Sequence, residues 1–462
     1  MVSWLQWKMP SAPILFWKEK ERKKGTSRCG KFPSILDVHY NNRHWQETKT
    51  SQGMFYLYSA YLDNRKSVTK GPSVRVLGMI NHPQDPTLTM FCQLWFENTP
   101  EPLVSEVYEF RQVFTFKILP KPFLFSCQVP KSHKDMVPSS VSLVEQRCAI
   151  ATTNLKVIYN PLREGEAKEG FAVCTKGLDF PNDNSPRLAE WIELLSALGA
   201  NKIFFYDLGV NRNVSRMLEF YSRIGKVDLK RFSLAGHQPN IPGLTHLYLK
   251  AKIGVNMQSE LVPYNDCFYR NMYRYVFVAV VNVSDNLNHR YKYIALLDID
   301  EVIVPIQQGG WSAMMAEVVQ DSGGEVASWN FRNVYFLDNM TDLREPEPGL
   351  DIPQHFHMLR HIYRTETYNA PGANIKCFHN PEKVLTLHNH FPHSIAANTK
   401  KSYAVATSVG HLQHYRTWCA WYLAARCATD FMGHQVRDAT IWRWRQSVVQ
   451  NATLTLSTLG LG

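Results

Sequence analysis

Tyr291-Lys-Tyr-Ile-Ala-Leu-Leu-Asp-Ile-Asp-Glu-Val-Ile-Val-Pro305 decides how the chain is read. Its first seven residues have the nearly unbroken apolar character of a central strand buried on both faces, as in a parallel sheet. The run ends at Asp298-Ile-Asp300-Glu301, which places an acidic cluster at the carboxyl end of a strand, where open α/β sheets bind ligands. In an extended segment, side chains two apart point the same way, so Asp298 and Asp300 are expected to share one divalent cation. Oxygen ligands suit Mg²⁺ or Mn²⁺, and such an ion can clamp a diphosphate whose charge grows as it leaves. Asp300 is expected to make the closer metal contact, Asp298 a metal or ribose contact, and Glu301 to orient them. Three acids against the apolar Val302-Ile-Val304 put charge beside core, a cost that something cationic must offset.

Upstream, the pattern alternates strand and helix. Phe171–Cys174 is a short apolar run; Ser185-Pro186 opens a helix with Leu188, Trp191, Ile192, Leu194 and Leu195 at helical spacing, and Gly199 stops it. Lys202–Tyr206 reads as a strand ending at Asp207, Val214–Ile224 as a helix, Val227–Phe232 as a strand, and Asp266–Val281 as a further helix. A βαβαβ series of this kind means a mostly parallel sheet flanked by helices, hence the α/β class.

Residues 54–157 read differently. Short alternating segments, Phe55–Tyr58, Val74–Met79, Thr89–Phe96, Phe114–Leu119 and Phe123–Val129, give an all-β signature. Four regions follow: a basic tail over 1–50, a β-rich region over 51–165, an α/β domain over 166–420, and a helical, aromatic extension over 421–462. In the tail, Trp4–Trp17 is apolar but broken by Lys8, Pro10 and Pro13, and a basic cluster follows it; it is expected to be unstructured or the remnant of an anchor. No window holds the eighteen or so apolar residues of a spanning helix.

The formal net charge of +11 suits an acidic partner, but eight basic residues lie between Lys8 and Lys31, so the body is only mildly basic. Nine cysteines without a C-x-x-C pair argue against a zinc ribbon or a thioredoxin-like site. Sequons at Asn213, Asn282, Asn339 and Asn451, beside the cysteine count, point toward the secretory lumen. Trp442-Arg-Trp-Arg445 mixes aromatic and basic residues, but no nucleic-acid motif accompanies it, so nucleic acid is not an expected partner.

Two chemistries fit a strand that ends in D-x-D: a nucleotide-sugar transferase of the GT-A type, and a haloacid-dehalogenase-type phosphatase with Asp298 as nucleophile. The phosphatase needs a lysine and a late acidic pair. Asp338 and Asp342 imitate the pair, but no lysine lies between Glu301 and Asp342, and two β-α units precede the D-x-D strand where that fold opens with it. The transferase is therefore the leading reading.

Leu296–Pro305 resembles the D-x-D signature of the family-92 glycosyltransferases. Arg187–Glu193, Ile203–Asp207, Asn265–Phe268, Asn380–Val384 with His390 beyond it, and His414–Arg416 agree in order, and Ser59–Arg65 is similar to the family's β-rich lead-in. The resemblance implies a GT-A-like fold and inverting, Mn²⁺-dependent transfer of a sugar, galactose foremost, from a UDP-sugar donor to a glycan or glycoprotein acceptor in the Golgi lumen. It makes Asp298 and Asp300 metal and diphosphate residues and His414 a third ligand. Asp207 would meet the uridine or ribose, and Lys376 and His390 the diphosphate or acceptor. Lys176 would contact the nucleotide, although Cys174-Thr-Lys-Gly177 lacks the proline expected after the lysine. Family members carry a membrane anchor, and none is visible here. A glycan-binding protein on the same fold without turnover is the non-catalytic alternative.

Inversion needs a general base, usually a carboxylate. Asp338, after the apolar Val334–Leu337, is the candidate, with Glu366 as the other. His411 and His414 have the spacing of an i, i+3 pair on a helix. Trp418, Trp421, Trp442 and Trp444 are considered as sugar-stacking platforms, with helical packing the simpler account of the first two.

Overall fold

The structure is a computed structural model and describes residues 29–114, 117–161, 170–273, 293–340, 352–417, 419, 427, 429 and 434–461. Its first part is a sheet of nine strands: β1 (Tyr40–Asn42), β2 (Trp45–Thr50), β3 (Gly53–Asp63), β4 (Ser73–Asn81), β5 (Phe91–Trp95), β6 (Leu103–Gln112), β7 (Lys121–Gln128), β8 (Ser140–Val144) and β9 (Leu155–Ile158). They run in the order β1-β2-β3-β4-β7-β6-β5-β8-β9, and β9 returns to pair in parallel with β3. Seven strands thus close into a barrel, which removes the open edges.

Alternation in β3 and β4 serves two cores. Phe55, Leu57, Ala60, Leu62, Val74, Val76 and Ile80 fill the barrel, while Tyr56, Tyr61, Leu77 and Met79 face the α/β part. In β3 the inward positions change from odd to even numbers, because the register shifts between Leu57 and Ser59; a bulge there moves every later side chain to the other face.

Two expectations are corrected here. Residues 40–50, assigned to the tail, form β1 and β2, and buried Trp45 donates its Nε1–H to the Ser233 carbonyl at 2.8 Å. The expected strand Phe114–Leu119 is not one: residues 117–120 form a loop, and 115–116 lie outside the described residues. The Ile118 and Pro120 carbonyls accept from Gln258 Nε2 instead of from a neighbouring strand. The sequence reading also passed over β6.

The second part runs β10 (Phe171–Phe180), α1 (Ser185–Leu198), β11 (Ala200–Val210), α2 (Arg212–Arg223), β12 (Val227–Arg231), α3 (Leu244–Ala251), α4 (Ile253–Ser259), α5 (Leu261–Asn271), β13 (Ile294–Leu296), β14 (Glu301–Pro305), α6 (Trp311–Ser322), β15 (Ser328–Phe331) and β16 (Asn333–Leu337). It continues with β17 (Tyr363–Thr365), β18 (Lys376–His379), β19 (Val384–Leu387), β20 (Pro392–Ile395), β21 (Tyr403–Ala404), β22 (Gly410–Arg416), β23 (Gln435–Arg437) and α7 (Arg445–Leu459). The main sheet has the order β12-β11-β10-β13-β18-β15-β21. It is parallel except for β18, which runs against β13 and β15. The α/β class therefore stands. A small sheet, β14-β22-β16, continues from the acidic turn.

Local chemistry explains the elements that position the site. Asp183 accepts from the Ser185 amide and hydroxyl just before α1, and Gly199, at φ 118°, ends it in the left-handed conformation. Asn211 caps α2 through the Asn213 amide. The helix expected at Asp266–Val281 starts earlier, as α5 at Leu261, and 274–292 lie outside the described residues. The strand expected over Tyr291–Leu297 is shorter, with β13 confined to Ile294–Leu296. In the C-terminal segment, Val448, Ala452 and Leu456 of α7 join the core that contains Leu188, Trp191 and Leu195 of α1.

Barrel and α/β part meet around a buried charge network. Asp63 Oδ1 is 2.9 Å from Arg65 Nε, and its Oδ2 is 2.7 Å from Arg75 Nε, all three residues being buried. Arg65 Nη1 also donates to the carbonyls of Pro381 and Val384 across the junction. Burial raises the Asp63 carboxyl, but the two guanidinium groups outweigh it and lower the pKa to about 2. The resulting stabilisation is present above the unfolded carboxyl range and is lost as pH falls through about 2. Asp63→Asn leaves buried Arg65 without its anion and buried Arg75 with only the 3.5 Å contact to Glu109, and is expected to cost about 3 kcal/mol in urea unfolding at neutral pH, with a flatter acid limb between pH about 4 and about 2. A loss below about 0.5 kcal/mol, the size of an ordinary surface effect, would refute the network's role.

Candidate active site

Strand order reverses at β10: the chain steps outward through β11 and β12, then returns to place β13 on the other side of β10. A crevice at such a switch point lies outside the carboxyl ends of the strands. Lys176 on β10 and the D-x-D after β13 both occupy that edge.

The D-x-D is a tight turn between β13 and β14 rather than an extended segment. The Glu301 amide donates to the Asp298 carbonyl at 3.0 Å, and the Asp298 amide lies 3.2 Å from Glu301 Oε2. As a result, the carboxylates reach different partners. Asp298 Oδ2 is 2.9 Å from Lys376 Nζ, and Asp298 Oδ1 is 3.3 Å from Lys176 Nζ. Asp300 Oδ2 is 3.3 Å from His414 Nε2. Lys376, wholly buried, also lies 2.9 Å from Glu301 Oε2 and donates to Asn389 Oδ1. Neighbouring elements hold the turn by its backbone: Trp191 Nε1 of α1 donates to the Glu301 carbonyl at 2.9 Å, and the Tyr415 amide of β22 to the Asp300 carbonyl at 2.8 Å.

Charge sets the protonation of the cluster. Burial raises the Asp298 carboxyl, but Lys176 and Lys376 hold it well below the usual carboxylate range. Asp300 is likewise lowered against burial, by His414. Burial raises Glu301 despite Lys376 and His414. Asp298, then Glu260, raises the Lys176 ammonium; burial lowers that of Lys376, but Asp298 and Glu301 raise it overall. Burial lowers the His414 imidazole, while Glu301 and Asp300 raise it further than burial lowers it.

Of the expected residues, Lys176, Lys376, Asp298, Asp300 and His414 come together. His390 is adjacent: its Nδ1–H donates to the Ile375 carbonyl at 2.9 Å, and burial followed by Lys376 lowers its pKa to about 4, so it is a neutral imidazole with a free Nε2 lone pair. Asp207 sits beside Leu178 at the end of β10, accepts from the Val210 amide at 3.2 Å, and has its pKa raised by burial. Asp338 has other partners, with Oδ1 2.7 Å from His357 Nε2 and 3.5 Å from His361 Nε2. Glu366 is exposed and pairs with His434 at 3.7 Å.

His411 and His414 lie on β22, not on a helix, so side chains three apart fall on opposite faces: His411 Nδ1 meets Tyr368 Oη at 2.8 Å, while His414 turns to Asp300. Trp442 donates its Nε1–H to the Leu359 carbonyl and Trp444 is buried, so both pack rather than present a platform; Trp418 and Trp421 lie outside the described residues.

Three participants, Glu260, Tyr264 and Asn389, escaped the sequence reading. Glu260, just before α5, is 3.3 Å from Lys176 Nζ. Tyr264 Oη lies 3.1 Å from Asn389 Oδ1 and 3.5 Å from Asp298 Oδ1. Only the nearby Asn265–Phe268 segment marked that neighbourhood. The disulfide Cys174–Cys267 fastens α5 to the strand that carries Lys176.

The family model for Glycosyltransferase family 92 matches residues 169–288 and 285–452, more than half of the chain. The chain belongs to glycosyltransferase family 92. The matched stretch holds every residue of the acidic cluster and its lysines, while the barrel lies before it. No curated protein matches the chain. A family-92 domain makes the chain a transferase of sugars, and the D-x-D turn is its candidate active site.

Lys376→Met leaves buried Glu301 and part-buried Asp298 without their shared cation and is expected to destabilise the fold by about 3 kcal/mol in denaturant unfolding. Asp298→Asn in the same chain is expected to restore about 1 kcal/mol or more, a coupling that a double-mutant cycle reads directly. Strictly additive losses would refute the ion pair.

Proposed function

We propose that this protein transfers galactose from UDP-galactose to a glycan or glycoprotein acceptor, with inversion and with Mn²⁺ or Mg²⁺, in the Golgi lumen. The observation that carries the reading is the Asp300–His414 pair beside a lysine-bound Asp298 at the switch point of the sheet. The parallel β12-β11-β10-β13 half with one reversed strand beyond it supports a GT-A-type sheet. The choice of galactose and of inversion rests on the family resemblance.

The donor set fits a divalent ion. Asp298, Asp300, Glu301 and Glu260 bring four carboxylates against the two ammonium groups of Lys176 and Lys376, an oxygen-rich set suited to a divalent cation. Asp300, 44% exposed, faces the crevice, and the other ring nitrogen of His414, Nδ1, is held from behind by Asn333 Nδ2 at 2.9 Å with Glu301 Oε1 at 3.4 Å, so the ring is oriented by its outer partners as metal-bound imidazoles ordinarily are. Asp298, Asp300 and His414 would hold the ion, which when bound supplies positive charge against the departing diphosphate.

The remaining roles follow from exposure and charge. The Lys176 side chain, 35% exposed, carries its ammonium to where the diphosphate would lie. Lys376 has no exposure and acts by fixing Asp298. Neutral His390 suits a sugar hydroxyl that donates to Nε2, and Asp207 a ribose hydroxyl. The disulfides Cys29–Cys148, Cys92–Cys127, Cys174–Cys267 and Cys419–Cys427, with the exposed sequon asparagines Asn339 and Asn451, support an oxidising lumen. Among the described residues no helix is long and apolar enough to cross a membrane. The phosphatase reading loses support, because Asp338, which would begin its late acidic pair, is drawn to two histidines.

The purified protein, given a panel of UDP-sugars and N-glycan acceptors, is expected to release UDP and add a hexose only with UDP-galactose and Mn²⁺ or Mg²⁺, and EDTA is expected to abolish it. Asp300→Asn is expected to lower the transfer rate on the order of 100-fold or more. Full transfer by that variant overturns the metal clamp, and no turnover with any donor by folded protein favours the non-catalytic glycan-binding alternative.

A further inference from the structure

Away from the D-x-D turn, three cation-binding side chains converge: Asp338 just after β16, and His357 and His361 on either side of the 3-10 turn Met358–Arg360. Each offers a ligand atom within 4.8 Å of the others. His357 Nε2 is 2.7 Å and His361 Nε2 3.5 Å from the same oxygen, Asp338 Oδ1, and the two rings are 4.4 Å apart.

The tautomer of His361 is fixed by the backbone. Its Nδ1 lies 2.6 Å from the His357 carbonyl oxygen, and because a carbonyl can only accept, Nδ1 carries the hydrogen. With Nδ1 engaged by the backbone, Nε2 is the ring nitrogen turned to Asp338 Oδ1 and the one that can face an ion shared with that carboxylate. The bond that orients the ring is also the one metal-bound histidines ordinarily make through their second nitrogen.

The cluster is built before any ion arrives. Glu190 of α1, itself buried, accepts the backbone amides of His357, Met358 and Leu359 at 2.7, 3.1 and 2.8 Å, which clamps the turn between the histidines. The Asp338 amide donates to the Arg416 carbonyl at 3.1 Å, extending the β16–β22 pairing by one residue. With Asp338 28% and His361 18% exposed, an ion can enter and water can complete its shell.

We infer that Asp338, His357 and His361 form a second divalent-metal site, suited to zinc and separate from the D-x-D site. Two imidazoles and one carboxylate favour a borderline ion such as Zn²⁺ over Mg²⁺ or Mn²⁺, and three protein ligands with one open position is a common zinc arrangement. Asp338 is then a ligand, which replaces the general-base role expected from the sequence.

The test uses the full chain, stripped with a chelator and dialysed against micromolar ZnCl₂, with Asp300→Asn present throughout to silence the D-x-D turn. The Asp300→Asn protein is expected to retain about one equivalent of zinc by elemental analysis, and Co²⁺ in its place to give the intense visible absorption of tetrahedral nitrogen ligation. Adding His361→Gln or Asp338→Asn is expected to weaken zinc binding about 100-fold or more and to remove the Co²⁺ band. Zinc retained unchanged in both variants overturns the assignment. So does a folded Asp300→Asn protein that takes up neither zinc nor cobalt, a result that does not depend on whether the further variants fold.

Discussion

An ammonium group with no contact to solvent sits at the centre of the structure, and the α/β part is arranged to accommodate it. Lys376 reaches from β18, the one reversed strand of the main sheet, to the carboxylates of Asp298 and Glu301. Desolvating that charge is costly, and only close, multiply hydrogen-bonded partners offset it. The requirement fixes the D-x-D turn on two sides: Asp298 is held inward, and the backbone of the turn is caught by Trp191 and Tyr415. Asp300 is the member left facing outward. Both carboxylates are thus positioned before any ligand arrives, Asp298 by its two lysines and Asp300 by His414, which is the preorganisation that lets fixed charges act strongly in a dry site.

What the sequence revealed and what it hid divide along physical lines. Features with local causes were legible: the apolar run that ends in acids, α1 with its start at Ser185-Pro186 and stop at Gly199, and the βαβαβ order that puts Asp207 and Lys176 at one edge of the sheet. Features with distant causes were not. Nothing near Lys376 announces that its partner Asp298 lies 78 residues away. The pairing of β9 with β3 joins residues almost a hundred apart in parallel and leaves no turn signal between them. The spacing of His411 and His414 misled because a three-residue interval is silent about conformation: it gathers side chains on a helix and separates them on β22. Asp338 was read as a general base because its partners, His357 and His361, lie beyond an intervening stretch and have no motif in common with it.

The barrel and the α/β part are joined by more than contact. Because β3 and β4 present alternate residues to two cores, a change in barrel register would also rearrange the surface that packs against α5 and β10, the elements that carry Tyr264 and Lys176. The bulge between Leu57 and Ser59 sets that phase, and Cys174–Cys267 fixes the receiving side. The barrel lies outside the family match, yet its geometry bears on the active-site edge through these shared residues.

Arg65 gives the junction a direction in time. Its carboxylate partner, Asp63, is two residues away, but the carbonyls of Pro381 and Val384 that complete its shell lie 316 and 319 residues later. During synthesis the barrel strands are complete long before those acceptors leave the ribosome. Until then a guanidinium destined for burial must stay hydrated on the barrel surface, beside the aromatic residues that later pack on α5. The last acceptors of a guanidinium whose anion is local are therefore supplied by the last third of the chain.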